Sequence, residues 1–370
     1  MFDALPPPLN SIVPFLIVLG VLVFIHELGH YLAARWQGVH VEVFSIGFGR
    51  SFASWTDKRG TVWKLSWLPL GGYVKLHGQE RPEDVGDSVR ASWKQGRTFH
   101  EKSVLARAIV IAAGPIANFL LAIVLFAGLF LALGRPVATA EIGEVVAGSV
   151  AERAGLLKGD VVMAVDGAAI TRFDELRAVI ATHAGQKISL RLKRADASLD
   201  MALTPDTQIV GGVAKGLVGI RAGGMVYEPV SAPQALWAGV TQTWDFTAQT
   251  FDGLWSMITR RASTDDLGGP VRIAQMSGQV AAMGFASLVT FIAMLSVNLG
   301  LFNLFPIPVL DGGHLVFYFF EALRGRPLPQ RAQEYGYRAG FALLIGLFVF
   351  ATWNDLGHVG LFRWIAGLVG

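Results

Sequence analysis

His26 and His30 stand four residues apart, so any helix that carries them presents both imidazoles on one face. Two imidazoles on one face can hold a divalent cation, and Glu27 between them is left free to act as base on water that the cation activates. The run His26-Glu27-Leu28-Gly29-His30 therefore reads as two ligands and a base of a zinc hydrolase. The chain contains no cysteine, which excludes thiolate ligands, disulfides and Fe–S clusters and leaves His and carboxylates to bind any metal. A catalytic zinc takes three protein ligands and keeps one position open. The third must come from elsewhere in the chain. Asp311 is the best placed candidate, at the end of an uncharged stretch within Asn303-Leu-Phe-Pro-Ile-Pro-Val-Leu-Asp-Gly-Gly-His314. The prolines there break a helix and the glycines admit close backbone approach. His314, three residues on, is a rival ligand.

The elements that must position these residues are apolar. Of 370 residues 52% are hydrophobic and 16% charged, against about a quarter charged in soluble domains. A net charge of +3 is too mild to argue for a nucleic-acid partner. Four segments approach the roughly 20 apolar residues that a membrane span needs. They run from about Ile12 to Ala34, between Arg107 and Arg135, from about Phe285 to Leu310, and from about Ala339 to Trp353, with the apolar tail Leu361–Gly370 after the last. Residues 1–11 contain no Lys or Arg, so the first segment reads as a retained span and not a cleaved signal. His26, Glu27 and His30 lie late in that span, where ionisable side chains are costly and mark function. The loop from Arg35 to Lys102 and the loop carrying Arg324, Arg326, Arg331 and Arg338 are basic, which predicts that both face the cytoplasm and that both termini lie outside.

Between spans two and three, Glu144–Gly167 reads as strand, short helix, turn, strand and turn, punctuated by Gly155, Gly159 and Gly167. A helix over Phe173–His183 and a strand over Lys187–Lys193 follow. After Pro233, Trp237, Val240, Trp244, Ala248, Phe251, Trp255 and Ile258 recur every three or four residues, an amphipathic face suited either to a membrane interface or to packing on the preceding domain. In the first basic loop, Val41–Ile46, Val62–Trp67 and Tyr73–Leu76 are strand-like, with breaks at Gly47-Phe-Gly49 and Leu68-Pro-Leu-Gly-Gly72, so a β-hairpin is expected.

His-Glu-Leu-Gly-His in a first span together with Asn-x-x-Pro-x-Pro-x-Leu-Asp-Gly in a later one resembles the site-2 protease family. The segment Ala154–Gly167 resembles a PDZ domain, and its place between spans two and three, with Gly47-Phe-Gly49 after span one, is similar to the RseP-type bacterial branch. The resemblance covers nearly the whole chain. It implies an intramembrane zinc metalloendopeptidase with one Zn²⁺ per chain, held by His26, His30 and Asp311, with Glu27 as catalytic base. Asn298 and Asn303 match family positions that hydrogen-bond substrate backbone, the competing reading being hydrogen bonds between helices of the bundle, and Gly114-Pro115-Ile-Ala-Asn118 matches a segment read here as structural. Some members carry two tandem PDZ domains, whereas this chain has room for one.

The expected fold is a polytopic α-helical membrane protein with about four transmembrane helices, a cytoplasmic membrane-associated β-hairpin and an extracytoplasmic α+β PDZ domain. Its parts are a first helix (1–35), a cytoplasmic loop with the hairpin (36–103), a second helix (104–135), the PDZ domain (136–226), amphipathic linker helices (227–284), a third helix (285–311), a cytoplasmic loop (312–338), and a fourth helix with the tail (339–370). The expected location is the bacterial cytoplasmic (inner) membrane, crossed several times, with the termini and PDZ domain outside. Expected partners are transmembrane protein or peptide substrates of the anti-sigma-factor or signal-peptide-remnant kind, membrane lipid and a PDZ ligand, and no nucleic acid. A substrate unwound into an extended segment could add to the hairpin edge at Tyr73, Val74 and Lys75. Two other readings compete: an ion transporter using the His/Glu/Asp set, and a non-catalytic PDZ scaffold.

Overall fold

In the computed structural model, residues 6, 8–80, 85–91, 93–210, 213–259 and 268–358 are described. The tail Leu361–Gly370 lies outside them. The chain divides into two units, Met1–Leu129 with Leu236–Gly370, and Phe130–Ala235.

In the first unit, α1 (Leu9–Trp36) is a 28-residue helix, about 42 Å long at 1.5 Å per residue. One stripe of it is buried: Val18, Leu22, His26, His30, Ala33 and Ala34. Two long strands follow, β1 (Val41–Thr56) and β2 (Val62–Leu76). They do not stop at the expected breaks but bend through them. Gly47, Gly49 and Gly71 have φ of 86°, 82° and 102°, which lets the strands turn while pairing continues. Residues 43–46 pair on one side with 62–65 and on the other with 72–75, and 51–56 pair with 62–66. The result is a curved sheet with 72–76 at one edge. Asp57 pins its turn, accepting from the Arg59 and Thr61 amides (2.8 and 3.0 Å) and from Trp63 Nε1 (3.1 Å). A short helix α2 (Asp87–Ala91) precedes α3 (Val104–Leu133).

The second unit holds β3 (Arg135–Ala138), β4 (Ile142–Val145), α4 (Val150–Ala154), β5 (Val161–Val165), β6 (Ala168–Ala169), α5 (Phe173–Thr182), β7 (Ile188–Arg194), β8 (Ala197–Leu203), β9 (Asp206–Val210), β10 (Val213–Leu217), β11 (Ile220–Ala222) and β12 (Met225–Glu228). A four-stranded antiparallel sheet runs β6-β5-β7-β8. Ile188, Leu190 and Leu192 alternate inward from β7 onto Leu176 and Ile180 of α5, all buried in one core. Ser149 caps α4 and Gly155 ends it in the left-handed region (φ 80°). Asp160, buried, is held by Arg194 Nε and Nη2, each at 2.7 Å.

The chain then forms α6 (Ala232–Ile258), α7 (Pro270–Ala282), α8 (Phe285–Asn303), α9 (Asp311–Arg324) and α10 (Gln330–His358). Within the first unit, α6 approaches α3 so closely at Gly239 that a side chain there would strike the Ile123 carbonyl. Trp237, Trp244 and Trp255 of its expected stripe are exposed. The N-terminus of α7 is capped by the buried Asp355 of α10, which accepts from the amides of Gly269 (2.8 Å), Val271 (3.0 Å) and Arg272 (3.1 Å).

Among the described residues four helices, α1, α3, α8 and α10, are long and apolar enough to cross a membrane. Two differ from the sequence reading. The third ends at Asn303 because Pro306 and Pro308 exclude helix beyond it. The fourth starts at Gln330, directly after Pro329, since its first turns are polar and carry no hydropathy signal. Much of the expected loop 312–338 is helical, as α9 and the start of α10.

Candidate metal centre

His26 and His30 face the neighbouring helices because α1 and α3 touch almost backbone to backbone. A side chain at Gly29 would run into the Ala113 carbonyl, and one at Gly114 would run into the His30 ring. This proximity lets His30 Nδ1 donate to the Val110 carbonyl of α3 at 2.9 Å. The bond fixes the tautomer and leaves Nε2 with its lone pair free. His26 Nδ1 meets the side-chain amide of Asn118, also on α3, at 3.2 Å. Asn118 is fully buried, and its carbonyl accepts from Ser296 Oγ of α8 at 2.8 Å.

Asp311 arrives from the other side as the first residue of α9. Its approach depends on the loop 304–310. Val309 has a φ of 95°, a conformation that a β-branched residue seldom adopts, immediately before the turn into α9. Gly312 and Gly313 pack under the carbonyls of Leu304, Phe305 and Ile307, where no side chain fits. Gly340 of α10 makes room for Pro308 in the same way.

The three side chains converge. His26 Nε2 and His30 Nε2 are 3.2 Å apart, and Asp311 Oδ2 is 3.2 Å from the first and 3.5 Å from the second. Among the described residues they form the one group of three or more His, Cys, Asp and Glu side chains able to share a cation. Two ligands about 2.05 Å from a tetrahedral zinc lie about 3.3 Å from each other. The observed edges match that spacing. Asp311 Oδ2 is buried and makes no hydrogen bond of good geometry although both imidazole nitrogens lie 3.2–3.5 Å from it, the disposition of donor atoms around a cation. These residues fit Zn²⁺ on geometry and on chemistry.

Glu27 leaves the helix toward the sheet. Gly72 of β2 lies so close that an added Cβ would come within 3.2 Å of Glu27 Cγ. The Val74 amide faces the Glu27 carboxylate. The segment 72–75 is an edge whose partner is β1 on one side only. Tyr73 stacks on Phe48 with centroids 6.1 Å apart, and Lys75 pairs with Glu42 at 2.8 Å. That pair raises the ammonium and, against the opposing effect of burial, lowers the carboxyl, so Lys75 is committed to its own sheet.

The other expected site residues are placed as follows. Asn298 Oδ1 accepts from Thr250 Oγ1 of α6 at 3.2 Å, and Asn303 Nδ2 donates to the Leu299 carbonyl at 3.0 Å. His314 stays out of the cluster, its Nδ1 3.3 Å from the Tyr337 hydroxyl. It lines a cavity of about 130 Å³ with His100, Arg107, Tyr318 and Glu321. The sequence reading treated Gly114 to Asn118 as structural, took Gly72 as part of a strand break, and gave Gly29 no role beyond its place in the motif. The signal of these glycines is the bare absence of a side chain, which acquires meaning only beside a partner helix.

Residues 14–347 match the model of peptidase family M50. This chain belongs to peptidase family M50. The site-2 protease resemblance carried by the two motifs is thus a membership, and the chain is a metalloprotease of that type. It is similar to a Rhizobium meliloti (strain 1021) protein named "Putative zinc metalloprotease" at 44% identity, covering 94% of this chain and 96% of the relative. Metalloprotease MmpA of Caulobacter vibrioides is 38% identical, with 97% and 98% covered. The regulator of sigma E protease of Salmonella typhi is 30% identical, with 94% and 99% covered. A solved PDZ domain from Listeria monocytogenes aligns with 23% of this chain and 87% of its own at 20% identity, with a TM-score of 0.20, on which no assignment rests.

Proposed function

We propose that this M50 peptidase hydrolyses peptide bonds within transmembrane segments of other membrane proteins, using one zinc ion held by His26, His30 and Asp311. The observation that carries the reading is the triangle of donor atoms, 3.2, 3.2 and 3.5 Å on its edges, brought together by segments flanking or forming apolar helices. Zinc bound there would supply Lewis acidity toward the scissile carbonyl and a water made acidic enough to attack near neutral pH.

The residues of the chain do the remaining work. Glu27 takes the proton of the attacking water and returns it to the leaving amine. Its position one residue from His26, turned toward β2, puts it between the cluster and the edge strand. The substrate helix must first unwind, since its own hydrogen bonds shield its peptide bonds. An unwound segment adds to the edge at Tyr73, Val74 and Lys75, which holds it extended beside Glu27. The support is the free edge of 72–75 and the Val74 amide aimed at the carboxylate. Asn298 and Asn303 exchange their present partners for peptide groups freed by unwinding.

The proposed topology follows the basic loops. Residues 36–103 and 312–338 face the cytoplasm, and both termini and the unit 130–235 lie outside the bacterial inner membrane. Residues 136–226 act as a PDZ domain that screens substrates by their outer parts, a reading supported by the strand and helix order around Ala154–Gly167. Substrates are single-span proteins of the anti-sigma-factor or signal-peptide-remnant kind.

The test is to purify the wild type and Glu27→Gln, measure bound zinc, and assay cleavage of single-span substrates in liposomes. The reading expects one zinc per chain in both and cleavage by the wild type alone. Zinc without cleavage of any substrate by the wild type would point to a transporter or scaffold instead.

A further inference from the structure

We infer that Asn118 is the positioning residue that makes His26 a zinc ligand, its side-chain oxygen accepting the hydrogen on His26 Nδ1. The inference rests on the zinc reading of the cluster. An imidazole that gives its Nε2 lone pair to a metal carries its hydrogen on Nδ1, and that hydrogen needs an acceptor when buried. His30 has one, the Val110 carbonyl at 2.9 Å, which can only accept. Among the described residues, His26 has no such backbone carbonyl partner at Nδ1. Its Nδ1 meets the Asn118 amide at 3.2 Å in a site where Asn118 is fully buried and His26 is 9% exposed.

An amide has two ends, and the choice between them selects the tautomer of His26. With Nδ2 toward the ring, the amide donates to Nδ1, the imidazole hydrogen moves to Nε2, and the ring points a hydrogen at the cluster. In that orientation Asn118 Oδ1 is buried without a partner. With Oδ1 toward the ring, Nδ1–H donates and Nε2 is free for the metal. A half-turn of the amide converts one into the other without moving heavy atoms of the backbone. The first orientation leaves Oδ1 unmatched, and metal binding at Nε2 selects the second. The backbone of Asn118 is held by Ser296 Oγ at 2.8 Å, which aims the side chain and ties α8 to the ligand. The sequence segment Gly114-Pro115-Ile-Ala-Asn118 thereby serves both histidines: the missing side chain at Gly114 admits the His30 ring, and Asn118 orients His26.

The test compares zinc affinity in the wild type, Asn118→Asp and Asn118→Leu, by competition with a chromogenic chelator in detergent, with no substrate present. Asn118→Leu keeps the approximate volume but removes the acceptor, and its affinity should fall about 10–100-fold. Asn118→Asp accepts in either orientation and should bind zinc within about threefold of the wild type, or more tightly. Zinc affinity of Asn118→Leu within twofold of the wild type would overturn the inference. So would a loss in Asn118→Asp as large as in Asn118→Leu, since that would make the amide N–H the needed group. Where thermal melting shows Asn118→Leu unfolded, Asn118→Asp decides alone, a loss above tenfold overturning the inference. A wild type that binds no zinc would sink the metal reading itself, whereas zinc in the wild type and indifference in the variants would sink this inference only.

Discussion

Replacing Gly114 by alanine should damage the metal centre through a single methyl group. The added Cβ would lie 2.6 Å from His30 Cε1 and 2.9 Å from Cδ2, and nearer still to Nε2, whereas ordinary contact begins at 3.4 Å. The ring therefore has to retreat by about 0.5–1 Å, a displacement of the size that disables a catalytic site. It cannot retreat freely, because Nδ1 is bonded to the Val110 carbonyl at 2.9 Å. Overpacking of this kind costs about 1–3 kcal/mol, and about 1.4 kcal/mol already weakens zinc binding tenfold. The assay is zinc retention against graded chelators, with thermal melting alongside. Gly20→Ala and Gly128→Ala are the controls, since an added Cβ at either meets nothing within 4 Å. Those two should leave zinc unchanged and be neutral or stabilising by up to about 1 kcal/mol. If Gly114→Ala holds zinc within twofold of the wild type, the close contact between α3 and His30 is not what shapes the site.

Three further outcomes are expected. Val74→Pro removes the amide that faces Glu27 on the edge segment, so cleavage should drop at least about tenfold with zinc content unchanged; normal turnover would exclude strand addition there. Asp160→Asn should cost the second unit about 2–3 kcal/mol, low for a buried pair because Arg194 is one-third exposed, read as faster hydrogen exchange in β5 and β7 of the full chain. Burial raises the Asp160 carboxyl, but Arg194 and the Leu157 amide outweigh it and hold the group below its ordinary value. That stabilisation is present above about pH 4 and is lost as pH falls through the lowered folded value, so the wild type should lose protection in acid while Asp160→Asn shows a flatter profile. Asp355→Ala strips three amides of their acceptor and should cost about 2 kcal/mol, seen as early proteolysis at the start of α7; unchanged digestion would mean water replaces the carboxylate.

The candidate site was the most legible part of the chain, because spacing along one helix is a local property. Histidines four apart share a helix face whatever surrounds them, and the structure adds only that Asp311, not His314, completes the cluster. Helix ends were less legible. Hydropathy follows apolar residues, so it overlooked the polar first turns of α10, which start directly after Pro329, and the whole of α9. Glycines in the hairpin read as breaks because positive φ commonly ends a strand, yet Gly47 and Gly71 bend paired strands without ending them. Asn118 was out of reach. Nothing in its own segment says that residue 118 on one helix lies beside residue 26 on another, and only packing reveals it.

The central claim is that His26, His30 and Asp311 hold one zinc ion, and X-ray absorption at the zinc edge tests it most directly. Glu27→Gln, purified without added metal, should show one zinc per chain with a first shell of nitrogen and oxygen near 2.0–2.1 Å and the outer-shell scattering of two imidazoles. Asp311→Ala should lose most of that zinc. A protein free of zinc, or a zinc shell without imidazole scattering, would contradict the account.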